Sequence, residues 1–378
     1  MFLRTSKCLK YLYLDDEIIC NQLVFENLYE NTTVTSIDLY HEYNLNDGFK
    51  SKAIDALVKI LYKHSTLTSL KLISILLGIK GMKILLEALY KNTALSSLNL
   101  RFIGTEEGKM LAKFLCKNTT LISLSLCENS RGSMIYNKLG LEGGKALADA
   151  LCKNNTLKEL KLQYNDLGSE VGKALADALC KNIALTSLYL GFNYLGLEGG
   201  KALADALCKN TTLISLDLRD NYLESEGGKA LADALCKNNT LKYLDLIHNN
   251  LESEVGKALA DALCKNTALT SLNLLSNNLG PEGGKALADA LCKNTTLTSL
   301  DLGNNFLGPE GGKALANALC KNVSLKNLNI KSNEIGTEGG KALEDSLRKQ
   351  TTLTYLNLRL NNIAFKIKSN NQCIEILQ

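Results

Sequence analysis

Leucines recur along the chain in a pattern whose period changes within each copy. In the copy that begins at Leu157, apolar residues at Leu160 and Leu162 alternate with variable ones. Alternation with period two is typical of a short strand with one buried face. Asn165 and Leu167 follow, and an asparagine at a strand exit favours a turn. The first part of each copy is therefore predicted to be a strand that ends in a turn.

The second part of the copy has helical spacing. Over 172–182 the sequence reads G-K-A-L-A-D-A-L-C-K-N, which places Leu175, Ala178 and Leu179 on one face of a helix. The opposite face carries Lys173, Asp177 and Lys181. Each copy is thus predicted to be one strand plus one amphipathic helix.

The copies repeat with a fixed period over most of the chain. Their first leucine recurs every 28 residues, at Leu157, Leu185, Leu213, Leu241, Leu269, Leu297, Leu325 and Leu353. Weaker copies begin upstream at Leu121, Leu95, Leu67, Val34 and Leu9, which makes 13 copies. One copy cannot bury its leucine face alone, so neighbouring copies must stack. The predicted fold is an α/β solenoid with parallel strands on one side and helices on the other.

Small and polar residues are expected to set the ends of each helix. A Gly-Gly or Val-Gly pair follows a glutamate such as Glu142, Glu170 or Glu198, and we expect this pair to begin the helix. A Lys-Asn pair is expected to close it, with the asparagine in the left-handed conformation. The asparagine at the strand exit should hydrogen-bond turn backbone and form a ladder through the stack. These ladder residues are Asn165, Asn193, Asn221, Asn249, Asn277, Asn305, Asn333 and Asn361.

Composition and charge narrow the class of protein. The 378 residues are 46% hydrophobic and 22% charged, with a net charge of +4, 28 glycines, two prolines and no tryptophan. These values argue against collagen, disorder and a strongly charged nucleic-acid binder. The longest strongly apolar stretch, Leu72 to Ile79, is far shorter than the roughly 20 residues of a membrane-spanning helix. Asp15, Asp16 and Glu17 argue against a secretory signal.

The repeat L-x-x-L-x-L-x-x-N-x-L-G-x-E-G-G-K-A-L-A-x-A-L resembles the ribonuclease-inhibitor class of leucine-rich repeats. The match is specific from Leu139 to Asn362 and degenerate from Leu9 to Glu128. The same class builds the repeat arrays of NOD-like receptors and of the Ran GTPase-activating protein. The resemblance implies a cytosolic horseshoe, with strands on its concave face and helices on its convex face, that binds a protein on the concave face. It transfers no particular partner, because proteins of different function share the repeat.

Departures from the repeat divide the chain. The copy at Leu121 carries eight extra residues within Cys127–Tyr136, which form either a tolerated loop or a binding protrusion. The copies at Leu67 and Leu95 lack the ladder asparagine. After Ile363 a different segment replaces the expected helix, and it either caps the core or marks a fragment of a longer chain. The expected domains are degenerate repeats over 1–120, regular repeats over 121–362 and a capping tail over 363–378.

No motif predicts a catalytic or cofactor site. The sequence G-G-K-A at Lys201 differs from a phosphate-binding loop, because Gly196 is one residue too close to Gly200 and an alanine follows the lysine. There is no C-x-x-C pair, and the three histidines, His41, His64 and His248, are far apart in the array. The protein is therefore predicted not to be an enzyme and to need no metal or other cofactor.

Eight of the 12 cysteines follow one motif, L-C-K-N, and belong to the repeat. Packed helices lie about 8–10 Å apart, whereas a disulfide needs Cα atoms within roughly 4.4–6.8 Å. We therefore predict free thiols packed at the seam between helices, in a reducing compartment. Seven N-x-[S/T] sequons arise mostly from the repeated K-N-x-T and are not expected to be glycosylated. They begin at Asn31, Asn118, Asn154, Asn210, Asn238, Asn294 and Asn322.

Function is expected at positions that vary between otherwise near-identical copies. These positions flank the second and third leucine of the strand and the ladder asparagine, and Glu159, Lys161 and Gln163 are among them. Exposed aromatic side chains mixed with acids and an arginine are typical of protein-binding hot spots, although solvated surface is the alternative. The predicted partner-binding residues are Tyr164, Tyr189, Phe192, Tyr194, Asp217, Arg219, Asp220, Tyr222, Tyr243, Asp245 and His248.

The sequence thus predicts a protein-interaction module that acts as an inhibitor, sensor or scaffold. The alternative function is activation of a Ran-like small GTPase. The partner is predicted to be a protein, with no nucleic acid and no membrane involved, and the chain is predicted to be a monomer. Its predicted location is the cytoplasm, either of its own cell or, after delivery, of a host.

Overall fold

In a computed structural model of the chain, short strands alternate with helices. The structure describes residues 10–14, 22–40, 47–63, 66–73, 75–127 and 137–378. The strands are β1 Tyr11–Leu14, β2 Ser36–Tyr40, β3 Ser69–Ile73, β4 Ser97–Leu100, β5 Ser123–Ser125, β6 Glu159–Lys161, β7 Ser187–Tyr189, β8 Ser215–Asp217, β9 Tyr243–Asp245, β10 Ser271–Asn273, β11 Ser299–Asp301, β12 Asn327–Asn329, β13 Tyr355–Asn357 and β14 Glu375–Leu377. The helices are α1 Gln22–Tyr29, α2 Asp47–Lys63, α3 Gly78–Lys91, α4 Thr105–Leu115, α5 Gly140–Leu151, α6 Gly168–Leu179, α7 Gly196–Leu207, α8 Glu224–Leu235, α9 Glu252–Leu263, α10 Gly280–Leu291, α11 Gly308–Leu319 and α12 Gly336–Leu347.

The chain divides into two compact units. Unit 1 comprises Met1–Leu167 and Lys181–Leu188, and unit 2 comprises Gly168–Cys180 and Tyr189–Gln378. In unit 1, strands β1 to β6 pair in parallel and in chain order. In unit 2, strands β8 to β14 pair in the same way. The predicted parallel sheet of repeating strand and helix is therefore confirmed, and the division expected at residues 120 and 362 stays a prediction.

The leucines of the repeat form the core. Leu160 and Leu162 of the strand segment are fully buried, as are Leu175 and Ala178 of the following helix. The same positions are buried in every regular copy, and neighbouring strands align them in register, as Leu216 pairs with Leu244. The predicted apolar faces of the strand and of the helix are confirmed.

The asparagines at the strand exits form the predicted ladder. Asn221, which has no exposed surface, donates from Nδ2 to the carbonyl oxygens of Leu190, Leu218 and Arg219 at 3.0 Å each. Its Oδ1 accepts the backbone N–H of Asn193 at 3.1 Å. Asn249 makes the same contacts one repeat further on. One side chain per repeat thus pairs turn backbone that is buried away from water.

The asparagine after each helix has a role that differs from the predicted one. Asn238 is buried and is not left-handed; its Oδ1 accepts the N–H groups of Thr240 and Leu241. Its Nδ2 donates to the carbonyl oxygens of Leu207 and Asn210 in the preceding repeat. The prediction of a left-handed cap is wrong, because this side chain, not its backbone angle, satisfies the chain reversal. Nδ2 is also the atom that glycosylation would modify, and here it is buried.

Each regular helix begins three or four residues earlier than predicted. Helix α10 starts at Gly280, so Gly283 and Gly284 lie within its first turns. In unit 2 a Cβ atom on Gly256 would come within 2.8 Å of the Cα atom of Gly283. The Gly-Gly and Val-Gly pairs therefore allow neighbouring helices to approach closely, and they do not begin the helix.

The cysteine column lies at the surface. Cys180, Cys208, Cys264 and Cys320 are exposed, and all ten cysteines in the described residues are free. Each follows the last buried leucine of its helix, and a helix turns by about 100° per residue, so the next side chain points outward. Tyr62 and Tyr90 occupy the same repeat position and are exposed as well. The prediction that these thiols pack in the seam between helices is wrong for the exposed ones.

The final segment of the chain adds a strand. In unit 2, β14 pairs in parallel with β13 after the last helix. Ser369 Oγ donates to the carbonyl oxygen of Leu347, the last residue of α12, and Asn370 Nδ2 donates to that of Arg348. Asn371 Nδ2 donates to the carbonyl oxygen of Leu353. The segment therefore satisfies backbone acceptors at the end of α12 without forming a helix itself.

Several predicted features lie outside the described residues. These are the start of the first copy at Leu9, His41, His64 and the inserted residues 128–136. Beyond that insertion, Asn137 takes the ladder position, because its Nδ2 donates to Leu126 and its Oδ1 accepts from Ile103. None of the described helices has the length and apolarity needed to cross a bilayer.

Candidate functional site

The face of the sheet in unit 2 carries a row of Asp and Asn side chains at the last residue of each strand. Asp217 Oδ1 accepts the N–H of Arg219 at 3.1 Å, and Asp245 Oδ1 accepts that of Ile247 at 3.1 Å. The same contact recurs at Asn273, Asp301, Asn329 and Asn357. The row therefore stabilises the turn after each strand, because a short polar side chain can bond the backbone two residues ahead.

Arg219 joins two of the acids predicted as site residues. Its Nε lies 2.9 Å from Asp217 Oδ1, and its Nη2 lies 3.0 Å from Asp245 Oδ2 on the neighbouring strand. Asp217 is almost fully buried, at 3% exposure, whereas Arg219 is partly exposed. The three side chains form one charged cluster at the centre of the sheet face between β8 and β9.

Burial shifts the acids of this face. It raises the pKa of Asp245 to about 6, against the opposing attraction of Arg219. Burial also raises the pKa of Asp301, whose carboxylate accepts hydrogen bonds from Gly303 N–H and Asn329 Nδ2. Asp220 has a raised pKa for the same reason, although His248 Nδ1 lies 2.9 Å from its Oδ1. The face thus holds carboxylates whose charge a single arginine only partly compensates.

Replacing Asp245 with asparagine is expected to change how stability depends on pH. The raised pKa means that protonated Asp245 stabilises the fold below pH 3.8 and that this stabilisation is lost as pH rises through about 6. The variant cannot titrate, so its stability relative to the natural protein should increase by up to about 3 kcal/mol between pH 4 and pH 7. Asn273 shows that the fold accepts asparagine at this register. Denaturant unfolding of both proteins over this range, giving a constant difference, would contradict the expectation.

The turns beyond the strands hold their residues in left-handed conformations. Among the predicted site residues, Tyr164, Phe192, Tyr194, Asp220, Tyr222 and His248 have φ between 50° and 59°. Other repeats place asparagine at the same positions, as at Asn250, Asn278 and Asn304. A bulky L-residue costs roughly 1–2 kcal/mol in this conformation, and asparagine tolerates it best after glycine. Tyrosine and phenylalanine at these positions therefore cost stability.

The aromatic side chains on the turns remain at the surface. The exposed fraction of Tyr194 is 61% and that of Tyr222 is 54%. Their rings stack, with centroids 6.0 Å apart and planes 7° from parallel. We call Tyr194, Tyr222 and the turn residues beside them in β8 and β9 repeats, from Asp220 to Glu224 and from His248 to Glu252, the turn edge of unit 2.

The structure brings the predicted site residues together in three groups. Asp217, Arg219 and Asp245 form the charged cluster, Asp220 pairs with His248, and Tyr194 stacks on Tyr222. The expected single surface of Tyr189, Tyr222 and Tyr243 differs from this arrangement, because the three rings belong to different rows. Tyr189 ends β7, Tyr243 begins β9, and Tyr222 lies on the turn edge five residues after β8 ends. Tyr164 belongs to unit 1 and the other predicted residues to unit 2.

Two acidic residues of the turn edge were absent from the sequence prediction. Glu224 and Glu252 have φ of 57° and 66° at a position where six other regular repeats have glycine. Their backbone pairing is unchanged, since Glu224 N–H donates to the carbonyl oxygen of Asn249 as Gly196 N–H donates to that of Asn221. The signal was present in the sequence as L-E-S-E where other copies read L-G-x-E, but its meaning depended on the backbone angle.

The described residues hold no group of three or more His, Cys, Asp or Glu side chains arranged to bind a metal ion. The charged cluster and the turn edge therefore offer charges, aromatic faces and hydrogen-bonding groups to a ligand. These are the chemical groups of a recognition surface.

Strand and helix units stacked through two buried asparagine ladders define an α/β repeat protein. The chain belongs to the leucine-rich-repeat family. The family described as Leucine Rich repeat matches it over 153–176, 181–204, 209–232, 237–260, 265–288, 293–316, 321–343 and 349–364. The array is consistent with the ribonuclease-inhibitor class, and its family supports a protein-interaction module.

Solved structures share this fold. The crystal structure of the Rad7 and Elc1 complex in yeast is 17% identical over 85% of this chain and 77% of that chain, with a TM-score of 0.55. Leiomodin-1 actin-binding site 2 is 23% identical over 43% and 88%, with a TM-score of 0.34. The tropomodulin C-terminal domain of Caenorhabditis elegans is 18% identical over 40% and 92%, also at 0.34. A comparison with curated proteins gave no match.

Proposed function

We propose that this protein binds a partner protein through the sheet face and the turn edge of unit 2. The observation that carries the proposal is the placement of exposed aromatic rings at left-handed turn positions. Tyr194 and Tyr222 occupy positions where the chain elsewhere uses asparagine, and both remain more than half exposed. They lower stability and bury little surface, so a contact outside the fold accounts for them best.

The charged cluster supplies the polar part of the same surface. Asp217, Arg219 and Asp245 hold one another in place, which limits the entropy that a partner would have to remove on binding. Rigid tyrosines beside a positioned arginine are typical of binding hot spots. We infer that the protein acts by occluding or scaffolding its partner, as a monomer in a reducing compartment where its exposed thiols stay free.

Replacing both Tyr194 and Tyr222 with asparagine tests the proposal. Asparagine adopts the same backbone conformation in Asn250 and Asn278, so the melting temperature should stay equal or rise. Each interface aromatic commonly contributes about 2 kcal/mol, which corresponds to a loss of affinity of about thirtyfold. Partners captured from a cell extract by the natural protein should be lost with this variant.

The control reverses charge on the helix side. Lys201 and Lys229 lie on α7 and α8, and their replacement by glutamate should leave capture unchanged. Asp217→Lys is unsuitable, because it would bury a second cation beside Arg219 and destabilise the fold. Capture that survives the tyrosine replacements but not the lysine replacements would move the binding face to the helix side.

A further inference from the structure

We propose that the segment docking at the turn edge of unit 2 is basic, and that its Lys or Arg side chains lie against Glu224 and Glu252. This inference rests on the proposed function and names the chemistry of the partner. It goes beyond the strand positions from which the binding surface was predicted, because neither glutamate was among them.

The first observation is an exchange of glycine for glutamate. The residue that begins α6, α7, α10, α11 and α12 is a left-handed glycine, whereas α8 and α9 begin with left-handed Glu224 and Glu252. At Gly196 and Gly280 an added Cβ atom would meet nothing within 4 Å, so a side chain at this position extends into open space. Both glutamates are exposed. Their carboxylates are therefore presented outward from an unfavourable backbone conformation.

The second observation is a concentration of charge in the same two repeats. Residues 215–224 and 243–252 carry five carboxylates, Asp217, Asp220, Glu224, Asp245 and Glu252, against one arginine. The equivalent stretches 187–196 and 271–280 carry no charged residue. His248 lies against Asp220. Strands β8 and β9 pair directly, so these acids share one region of unit 2.

The glutamates lack a cation within the fold. Lys229 pairs with Glu226, and Lys257 pairs with Glu254, in each case one turn into the helix. Within the described ranges neither Glu224 nor Glu252 forms an ion pair, and the neighbour that fixes Glu252 is Ser225 Oγ, at 3.1 Å from Oε2. Their acidity also suits the helix N-terminus, but Glu226 and Glu254 already provide a negative charge in the same first turns.

The aromatic pair beside these acids fits the same ligand. Tyr222 lies two residues before Glu224, and its ring stacks on that of Tyr194. Lysine and arginine bind both carboxylates and the faces of aromatic rings. An acidic partner segment would meet uncompensated repulsion at this edge, and a neutral one would leave the carboxylates without a counter-charge. Charge complementarity therefore favours a basic segment.

The experiment measures the affinity of the full chain for fluorescent peptides by anisotropy. The probes are three peptides of equal length, built from Arg-Gly-Ser, Gln-Gly-Ser or Glu-Gly-Ser repeats, at an ionic strength of about 0.05 M, where surface charges are weakly screened. The arginine peptide should bind at least about tenfold more tightly than the glutamine peptide, and the glutamate peptide should not bind. Equal binding of the arginine and glutamine peptides would overturn the proposal.

Matched variants locate the effect. Glu224→Gln with Glu252→Gln should weaken the arginine peptide by about tenfold, whereas Glu226→Gln with Glu254→Gln removes the same charge one turn away and should change affinity by less than about twofold. Replacing Glu224 and Glu252 with glycine, the residue of the other repeats, should weaken binding equally without lowering the melting temperature. If the inner pair matters as much as the outer pair, the turn edge is not the site.

The outcome is separable from the proposed function. Loss of captured partners with Asn at Tyr194 and Tyr222, together with unchanged peptide binding by the Glu224 and Glu252 variants, would retain the binding surface and reject the basic partner. Retained capture with the tyrosine variant would reject the binding surface whatever the peptides do.

Discussion

Replacing Asn221 with alanine is expected to lower the free energy of unfolding by about 3–5 kcal/mol. The side chain has no exposed surface and donates to three carbonyl oxygens while accepting N–H groups from the preceding repeat. Alanine leaves these groups buried without partners, and each unsatisfied group costs about 1–3 kcal/mol, less where water enters the space. Denaturant unfolding followed by circular dichroism measures the loss.

Asn239→Ala is the matched control for this loss. Asn239 lies beside the second ladder residue Asn238 but is exposed. Its replacement should change stability by no more than about 0.5 kcal/mol. Similar losses for Asn221→Ala and Asn239→Ala would mean that the ladder contributes nothing specific.

Leu216→Ala is expected to lower the free energy of unfolding by about 2–5 kcal/mol. Leu216 is the central residue of β8, is 1% exposed and aligns with Leu244 of the next strand, so truncation opens a cavity that the stacked neighbours cannot fill. Ile214, two residues earlier, is 36% exposed, and Ile214→Ala should cost less than about 1 kcal/mol. A loss below about 1 kcal/mol at Leu216 would show that the strand leucines do not form the core.

Most of the fold could be predicted because its period is visible. The alternation at Leu160 and Leu162, the helical spacing at Leu175 and Leu179, and the ladder position of Asn221 each have one physical interpretation, and the structure confirms all three. The helix starts could not be placed, because glycine permits both a cap and a close helix contact. Only the approach of Gly256 to Gly283 distinguishes these roles.

The candidate site was harder to predict, because variation between copies reveals that a position is free but not which direction its side chain takes. Tyr222 and Tyr243 both vary, yet one belongs to a turn and the other to a strand. Asp217 and Asp245 also bond the turn backbone, which links them to folding as well as to binding. Glu224 became informative only with its positive φ, which the letters of the sequence do not contain.

The two asparagine ladders make the boundaries between regular repeats interchangeable. Asn221 N–H donates to Asn249, and Asn249 N–H donates to Asn277, each residue 28 positions beyond the last. Asn238 and Asn266 repeat the other ladder with the same spacing. Unequal crossing-over between two such gene segments would delete or duplicate one period and rejoin the same donor and acceptor atoms. The copy number of this array can therefore drift by recombination at little cost in folding, while point mutations on the strands and turns diversify each copy separately.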